Sequence, residues 1–168
     1  MHRQNYLTLK EKTSYVESFV SQDINILVSS KKSMFTHLIP ITPNILKSHK
    51  FKIILPSPEN SRRIAINEYF STHGISPNSI LEMDAMIGTL EMVATTDWCS
   101  ILPATLSDLD FNNIKRNLSP IDSPKLITDY VLITSASKEL SFATRFFIEK
   151  ITNEIKRITQ NINHQINR

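Results

Sequence analysis

The sequence predicts an α/β fold, and three observations lead to that class. Continuous apolar runs, which are typical of strands covered on both faces of a sheet, alternate along the chain with segments of helical periodicity. The length of 168 residues fits one domain of ordinary size. The proportions of hydrophobic residues (40%) and charged residues (21%) are those of soluble globular proteins, so a disordered or fibrous chain is disfavoured.

The first half of the chain predicts two strands and one helix with clear ends. INILV at 24–28 is the first strand, while residues 1–22 carry no pattern that assigns them. FKIIL at 51–55 is the second strand, and the prolines on either side of Ser57 end it. Asn60 or Ser61 is expected to cap a helix that runs to His73, and Gly74 provides the left-handed residue that ends such a helix.

The second half continues the alternation. ILEM at 80–83 is a short strand, and Asp84 is expected to be the N-cap of a helix whose apolar face repeats through residues 86–93. CSIL at 99–102 is the next strand, residues 114–121 form an extended edge segment, and YVLIT at 130–134 is a buried strand. Ser141 caps the last helix, and the polar tail at 158–168 is expected to fray.

Composition excludes several classes of function. Only two glycines occur, so no glycine-rich phosphate-binding loop can be formed. The single Cys99 cannot form an intramolecular disulfide, and the five histidines lack the spacing of metal ligands, so no metal and no cofactor is predicted. No G-x-S-x-G motif is present and Cys99 lies in an apolar run, so no catalytic residue is predicted either. The net charge of +3 combines interleaved basic and acidic residues, and no apolar run suits a membrane span or a signal peptide; we expect a cytoplasmic protein.

Three stretches of sequence together resemble the effector-binding domain of LysR-type transcriptional regulators of bacteria. The first is IILP at 53–56, followed by NSRR at 60–63 and YFSTHGISP at 69–77. The second is LEMDAM at 81–86, followed by VATTDW at 93–98 and ILP at 101–103, and the third is LSFA at 140–143. The sequence departs from the family where TTDW at 95–98 replaces common glycines and where Phe142 replaces a common proline.

The resemblance implies a periplasmic-binding-protein-like type 2 fold, with residues 23–157 as a partial substrate-binding domain. Within it, residues 39–123 are the second lobe, and residues 24–30 and 130–134 are the two crossing strands. The winged helix-turn-helix and most of the first lobe are expected to be missing, so the chain is expected not to bind operator DNA specifically by itself. The implied function is sensing of a small organic effector, such as a carboxylate, in the cleft between lobes. The implied sensor is a homo-oligomer whose interface includes the helix at 61–73.

The candidate ligand site lies where the loops of an open α/β sheet bind small molecules, at the carboxyl ends of strands and at helix N-termini. We expect three groups of residues to line it: Asn60, Ser61 and Arg62 after the second strand; Met83, Asp84 and Ala85 after the third; and Thr95, Thr96, Asp97 and Trp98 leading into the fourth.

Each candidate also has a purely structural interpretation. Asp84 and Asn60 are good helix caps, and Arg62 and Arg63 are ordinary solvated charges. Thr95 and Thr96 are common turn residues, Asp97 suits a solvated loop, and Trp98 suits a core or rim position. These interpretations stay open at the level of sequence.

Two other functions fit the same sequence. One is a solute carrier of the same two-lobe fold, which the absence of a signal peptide disfavours. The other is a small α/β enzyme that uses Asp84 and Asp97 as a carboxylate pair, which requires the two side chains to meet in one pocket.

Overall fold

The structure is a computed structural model that describes residues 15–106 and 115–166. Within these ranges the chain forms six strands and four helices, which confirms the predicted α/β class. In chain order they are β1 (Tyr15–Ser30), α1 (Pro43–Ser48), β2 (Lys52–Leu55), α2 (Ser61–His73), β3 (Ser79–Glu82), α3 (Met86–Thr95), β4 (Trp98–Pro103), β5 (Arg116–Pro120), β6 (Ile127–Ser135) and α4 (Phe142–Ile166).

The strands form one mixed sheet in the order β3-β2-β4-β1-β5, and β6 also pairs with β1. β2 is parallel to both of its neighbours, β3 and β4, whereas β1 is antiparallel to β4 and β5. The carboxyl ends of β2, β3 and β4, at Leu55, Glu82 and Pro103, therefore lie along one side of the sheet, which we call the carboxyl rim. The opposite side, which we call the amino rim, holds the starts of β2 and β4 at Lys52 and Trp98 and the end of β1 at Ser30.

Residues Ile24–Ile127 form a compact unit, here called the central unit. Its middle strands are covered on both faces, since Ile53, Ile54 and Ile101 have no exposed surface. The core also includes side chains from β1, β2, β4, α1, α2 and the loops between them: Leu27, Phe35, Ile41, Leu46, Phe51, Leu55, Ile66, Tyr69, Phe70, Ile75, Cys99, Ile121 and Leu126. Uninterrupted apolar runs thus predicted these buried strands correctly.

A second compact unit, here called the outer unit, combines the described residues up to Asp23 with those from Thr128 onward. Within it, Ser21 Oγ and Thr159 Oγ1 are 3.0 Å apart, and the Tyr130 hydroxyl donates to Asp23 Oδ2 at 3.2 Å. Its exposed large apolar side chains outnumber its buried ones among the described residues; the exposed set is Val16, Phe19, Ile133, Phe142, Phe146, Phe147 and Ile151.

Three predictions made from the sequence are wrong in this outer unit or at its border. β1 begins at Tyr15 rather than at residue 24, so residues 15–22 belong to a strand, whereas residues 1–14 lie outside the described ranges. β6 forms where a strand was predicted, but its side chains are half-buried or exposed rather than buried. Residues 158–166 are not a frayed tail, because α4 continues to Ile166 and buries Thr159 and Ile162.

The predicted helix ends are confirmed where the signals are local. The Asn60 side chain accepts a hydrogen bond from the Arg62 backbone N–H at 2.9 Å, as an N-cap of α2. Gly74 ends α2 with φ of 65°. Ser141 Oγ accepts from the Thr144 backbone N–H at 3.1 Å before α4.

Candidate functional site

The carboxyl rim carries the loops and helix starts that a ligand site of this fold uses. α2 begins after β2 and α3 begins after β3, so both helix N-termini lie at this rim. β1 enters the central unit at the same rim, since Asn25 pairs with Pro103 at the end of β4.

Asp84 joins two loops of the carboxyl rim instead of capping α3. Its Oδ1 accepts hydrogen bonds from the Ser57 backbone N–H at 3.1 Å and from Ser57 Oγ at 3.3 Å. Ala85 is the N-cap residue of α3 and makes no side-chain cap bond. The prediction that Asp84 is the N-cap is therefore wrong, because the loop after β2 offers its carboxylate two donors from outside the helix.

Arg62 supplies positive charge beside this carboxylate. Burial lowers the pKa of the Arg62 guanidinium, and the attraction of Asp84 offsets part of that decrease. The Nε atom of Arg62 is buried and has no hydrogen-bond partner among the described residues. Buried donors are nearly always paired in folded proteins, so this nitrogen is an exception among the described residues. Ser61 is exposed at the first position of α2.

The other two candidates at this rim are Met83 and Ala85, whose side chains have no polar group. The Met83 backbone N–H donates to the Leu55 carbonyl at 2.9 Å, which extends the pairing of β3 with β2 by one residue. Ala85 is exposed, as the residue that starts α3. Neither side chain makes a polar contact, so both can contribute only apolar surface.

Arg63 holds the carboxyl rim together, although the sequence predicts a solvated charge. It is 7% exposed, and its Nη1 donates to the Pro56 carbonyl at 2.9 Å and lies 3.7 Å from Glu82 Oε1. Its Nε donates to Asn67 Oδ1, one turn further along α2, at 3.1 Å. The one local signal for this role was the i,i+4 spacing from Asn67.

The structure places Thr95, Thr96, Asp97 and Trp98 at the amino rim, away from the other candidates. Trp98 is the first residue of β4 and pairs with Lys52 at the start of β2. Asn60 and Asp84 follow the ends of their strands, so the length of β2, about 10 Å, separates the two groups. The predicted site is therefore two clusters and not one.

At the amino rim, all four of these residues have structural partners. Thr95 Oγ1 and Thr96 Oγ1 donate to carbonyls one turn earlier in α3, at 2.8 and 2.6 Å, and so satisfy the end of that helix. Asp97 Oδ2 lies 2.8 Å from Lys52 Nζ, and this hydrogen bond lowers the pKa of the Asp97 carboxyl. Lys52 Nζ also lies 5.8 Å from the centre of the Trp98 ring.

Other functional chemistry is limited in the part of the chain that the structure describes. Burial raises the pKa of the Cys99 thiol to about 12. No group of three or more His, Cys, Asp or Glu side chains in residues 15–106 and 115–166 is arranged to hold a metal ion. No helix in these ranges has the length and apolar character needed to cross a membrane.

A mixed α/β sheet with loops and two helix N-termini gathered at one rim defines a small-molecule-binding domain of the open-sheet class. The family model described as the LysR substrate binding domain matches residues 20–156, and the chain belongs to that family. It is thus an effector-sensing module of the LysR type, with the periplasmic-binding-protein-like type 2 fold.

Solved structures share this fold at low sequence identity. The regulatory domain of CcmR from Synechocystis, in complex with 2-PG, is 15% identical with a TM-score of 0.70, over 90% of this chain and 70% of that one. The effector-binding domain of QuiR with shikimate is 16% identical with a TM-score of 0.60, over 86% of this chain and 66% of that one. The BenM domain with its effector benzoate is 16% identical with a TM-score of 0.57, over 84% of this chain and 63% of that one.

Among curated proteins, no sequence match was found. The LysR substrate-binding family consists of ligand-binding domains of transcriptional regulators and is not an enzyme family. The family match thus favours the regulator over the carrier and the enzyme.

Proposed function

We propose that the carboxyl rim of the central unit binds a small organic carboxylate as the effector, and that Arg62 makes the ion pair with it. The observation that carries this proposal is the buried Arg62 Nε without a partner among the described residues. An arginine fork suits a planar carboxylate because two N–H groups can donate in parallel. Benzoate and shikimate, bound by BenM and QuiR, are themselves carboxylates.

The remaining candidates of this rim have supporting roles in the proposal. Asp84 keeps the loops after β2 and β3 together and orients the Arg62 side chain by charge. Asn60 fixes the start of α2, and Ser61, Met83 and Ala85 provide the adjoining surface. Binding would then favour one arrangement of the domain over another, because an effector with equal affinity for both would shift nothing.

We propose that the chain binds its effector without turnover, because residues 15–106 and 115–166 give no geometry that supports catalysis. An enzyme based on Asp84 and Asp97 needs a shared pocket, but these carboxylates lie at opposite rims of the sheet. The Cys99 thiol stays protonated at neutral pH.

Membership of the LysR family supports three further proposals, on oligomeric state, contact with DNA and cellular location. We propose that the protein works as a homo-oligomer and contacts DNA only through a domain other than this one. α2 remains the proposed interface helix, since Ile64 is 46% exposed there. As part of a transcriptional regulator, the protein is proposed to act in the cytoplasm.

The test is a comparison of the Arg62→Gln variant with the matched variant Arg145→Gln, which removes an exposed charge from α4. Binding of benzoate and shikimate is measured by calorimetry and by the rise in Tm that a native-state ligand causes. Wild-type and Arg145→Gln proteins should bind equally, whereas Arg62→Gln should bind roughly tenfold more weakly, as expected for loss of a charged hydrogen bond. Benzyl alcohol, which lacks the carboxylate, should not bind. Equal affinity of both variants would contradict the proposed role of Arg62.

A further inference from the structure

A cavity of about 900 Å³ opens at the amino rim of the central unit. The end of β1 and the starts of β2, β4 and β5 meet there, because β1 is antiparallel to β4 and β5. The volume is typical of sites for small organic ligands, which measure about 300–1,000 Å³. This cavity is separate from the proposed effector site, because Asn60, Arg62 and Asp84 do not line it.

Lysines dominate the charge of the cavity. Lys31, Lys32, Lys50, Lys52 and Lys115 line it, and Asp97 is the single carboxylate among its described lining residues. Lys52 pairs with Asp97 at 2.8 Å, and Lys115 Nζ lies 3.7 Å from Glu91. Within the described ranges, the other three lysines have no salt bridge. The end of α3 lies nearby, but a helix C-terminus carries only about half a negative charge and cannot balance three ammonium groups.

An aromatic surface adjoins these lysines. Trp98 lines the cavity and is half-buried, so part of its ring is accessible. Phe35 and Phe51 also line it and are almost fully buried, which gives the inner part an apolar character. A planar ring stacked near Trp98 would bury apolar surface while its charged groups faced the lysines.

Ser29 provides a separate indication that this cavity takes a ligand. The residue is 1% exposed and lines the cavity, yet its Oγ has no hydrogen-bond partner in the described part of the chain. Its neighbour Ser30, by contrast, uses its Oγ to accept from the Lys32 backbone N–H at 3.2 Å. A buried hydroxyl without a partner is uncommon in folded proteins and is explained where a bound group supplies the missing bond.

We propose that the cavity at the amino rim is a second ligand site, which binds a small molecule that carries phosphate groups and a planar ring, such as a nucleoside phosphate. Three unpaired lysines provide more positive charge than one carboxylate needs, and lysine ammonium groups bind phosphate as point charges. Trp98 provides the surface for the ring. The proposal goes beyond effector sensing at the carboxyl rim and does not depend on it.

The probes are ATP, AMP and adenosine, and the readouts are calorimetry and the fluorescence of Trp98, the single tryptophan of the chain. ATP should bind more tightly than AMP, and adenosine should bind weakly or not at all, because affinity depends on the phosphates. The affinity for ATP should fall as salt is raised. Binding should also change the Trp98 fluorescence, which a phosphate contact remote from the ring would not do.

Matched lysine variants assign the binding to this cavity. The double variant Lys31→Gln/Lys32→Gln and the single variant Lys50→Gln should each weaken ATP binding, the double variant by at least about tenfold, as expected for lost charged hydrogen bonds. Lys138→Gln removes an exposed lysine that does not line the cavity and should bind ATP as the wild type does. Arg62→Gln should also bind ATP normally, which separates this test from the test of the effector site.

Three results would overturn the proposal. The first is that millimolar ATP gives neither heat nor a change in fluorescence. The second is that Lys138→Gln weakens binding as much as the cavity variants do. The third is that a short DNA duplex competes for the same lysines and binds more tightly than ATP, which would assign the patch to nucleic acid. The substituted lysines are exposed, so each variant should keep the Tm of the wild type. An unchanged Tm shows that folding is intact.

Discussion

At the scale of single residues, Cys99 shows how burial controls reactivity. The side chain is 3% exposed near the start of β4, and its Sγ donates to the Lys52 carbonyl at 3.2 Å. Burial raises the pKa of the thiol from its ordinary value of 9.0 to about 12. Because the thiolate is the reactive form, the native protein should hold this cysteine in an inert state at neutral pH.

We expect iodoacetamide to label Cys99 slowly in the native protein at pH 8 and rapidly in denaturant. A thiol whose pKa is raised by folding is almost fully protonated in both states well below pH 9, so its contribution to stability is constant there. As the pH rises from 9 towards 12, the unfolded chain loses the proton first, and stability falls. The chain has one cysteine, so mass spectrometry gives the labelled fraction directly. Equal labelling rates in both states would show that the thiol is accessible in the native fold.

Residue roles were predictable from sequence only where their partners are close in the chain. Asn60 caps α2 through Arg62, two residues away, and this role was predicted. Asp84 bonds to Ser57, which lies 27 residues earlier, and Arg63 bonds to Pro56 and approaches Glu82. These contacts exist because β2 and β3 are neighbours in the sheet, which residue types alone do not specify. A local pattern therefore suggested an N-cap for Asp84 and a solvated charge for Arg63.

At the scale of elements, the two glycines of the chain differ in backbone conformation, because one ends a helix and the other lies inside one. Gly74 ends α2 with φ of 65°, and its backbone N–H bonds to the carbonyls of Phe70 and Ser71. Gly88 lies inside α3, where its φ is ordinary and a Cβ would lie 3.2 Å from Met83 Sδ, an atom of a flexible side chain. The same substitution should therefore have different effects in the two helices.

Gly74→Ala should lower the free energy of unfolding by about 1–2 kcal/mol, because a side chain strains the left-handed conformation. Gly88→Ala should leave stability unchanged or raise it by up to about 1 kcal/mol, because alanine favours helix more than glycine does. Urea denaturation followed by circular dichroism measures both values under the same conditions. If Gly88→Ala proved the more destabilising of the two, then packing against Met83, and not backbone conformation, would dominate the change in the free energy of unfolding.

At the scale of the whole molecule, the order of strands and loops determines which candidates meet. Residues 60–62 and 83–85 follow strands, whereas residues 95–98 precede one, and in a parallel arrangement these two kinds of loop lie at opposite rims. The chain order therefore indicated two separate groups of candidates, although the residue types suggested a single site. The lysine cavity was not predictable in the same way, because its lining comes from four strand ends separated by up to 86 positions. Only the antiparallel pairing of β1 with β5 brings Lys31 and Lys115 to one cavity.

The same architecture predicts that the two compact units differ in local stability. In the central unit, β2 and β4 bury Ile53, Ile54, Ile101 and Leu102 completely, and opening them would expose the main core. In the outer unit, β6 is half-buried or exposed, and Phe142 and Phe147 on α4 are 81% and 64% exposed. Local opening costs less where less apolar surface is buried, so amide hydrogens of β6 and α4 should exchange before those of β2 and β4. Hydrogen exchange followed by mass spectrometry on peptic fragments tests this order, with the fully unfolded chain as the reference for intrinsic rates. Equal protection of the two units would mean either that they open together or that the exposed apolar side chains of α4 are covered in solution, for instance by a second copy of the chain. Repeating the measurement over a range of protein concentrations separates these causes, since only association makes the protection of α4 depend on concentration.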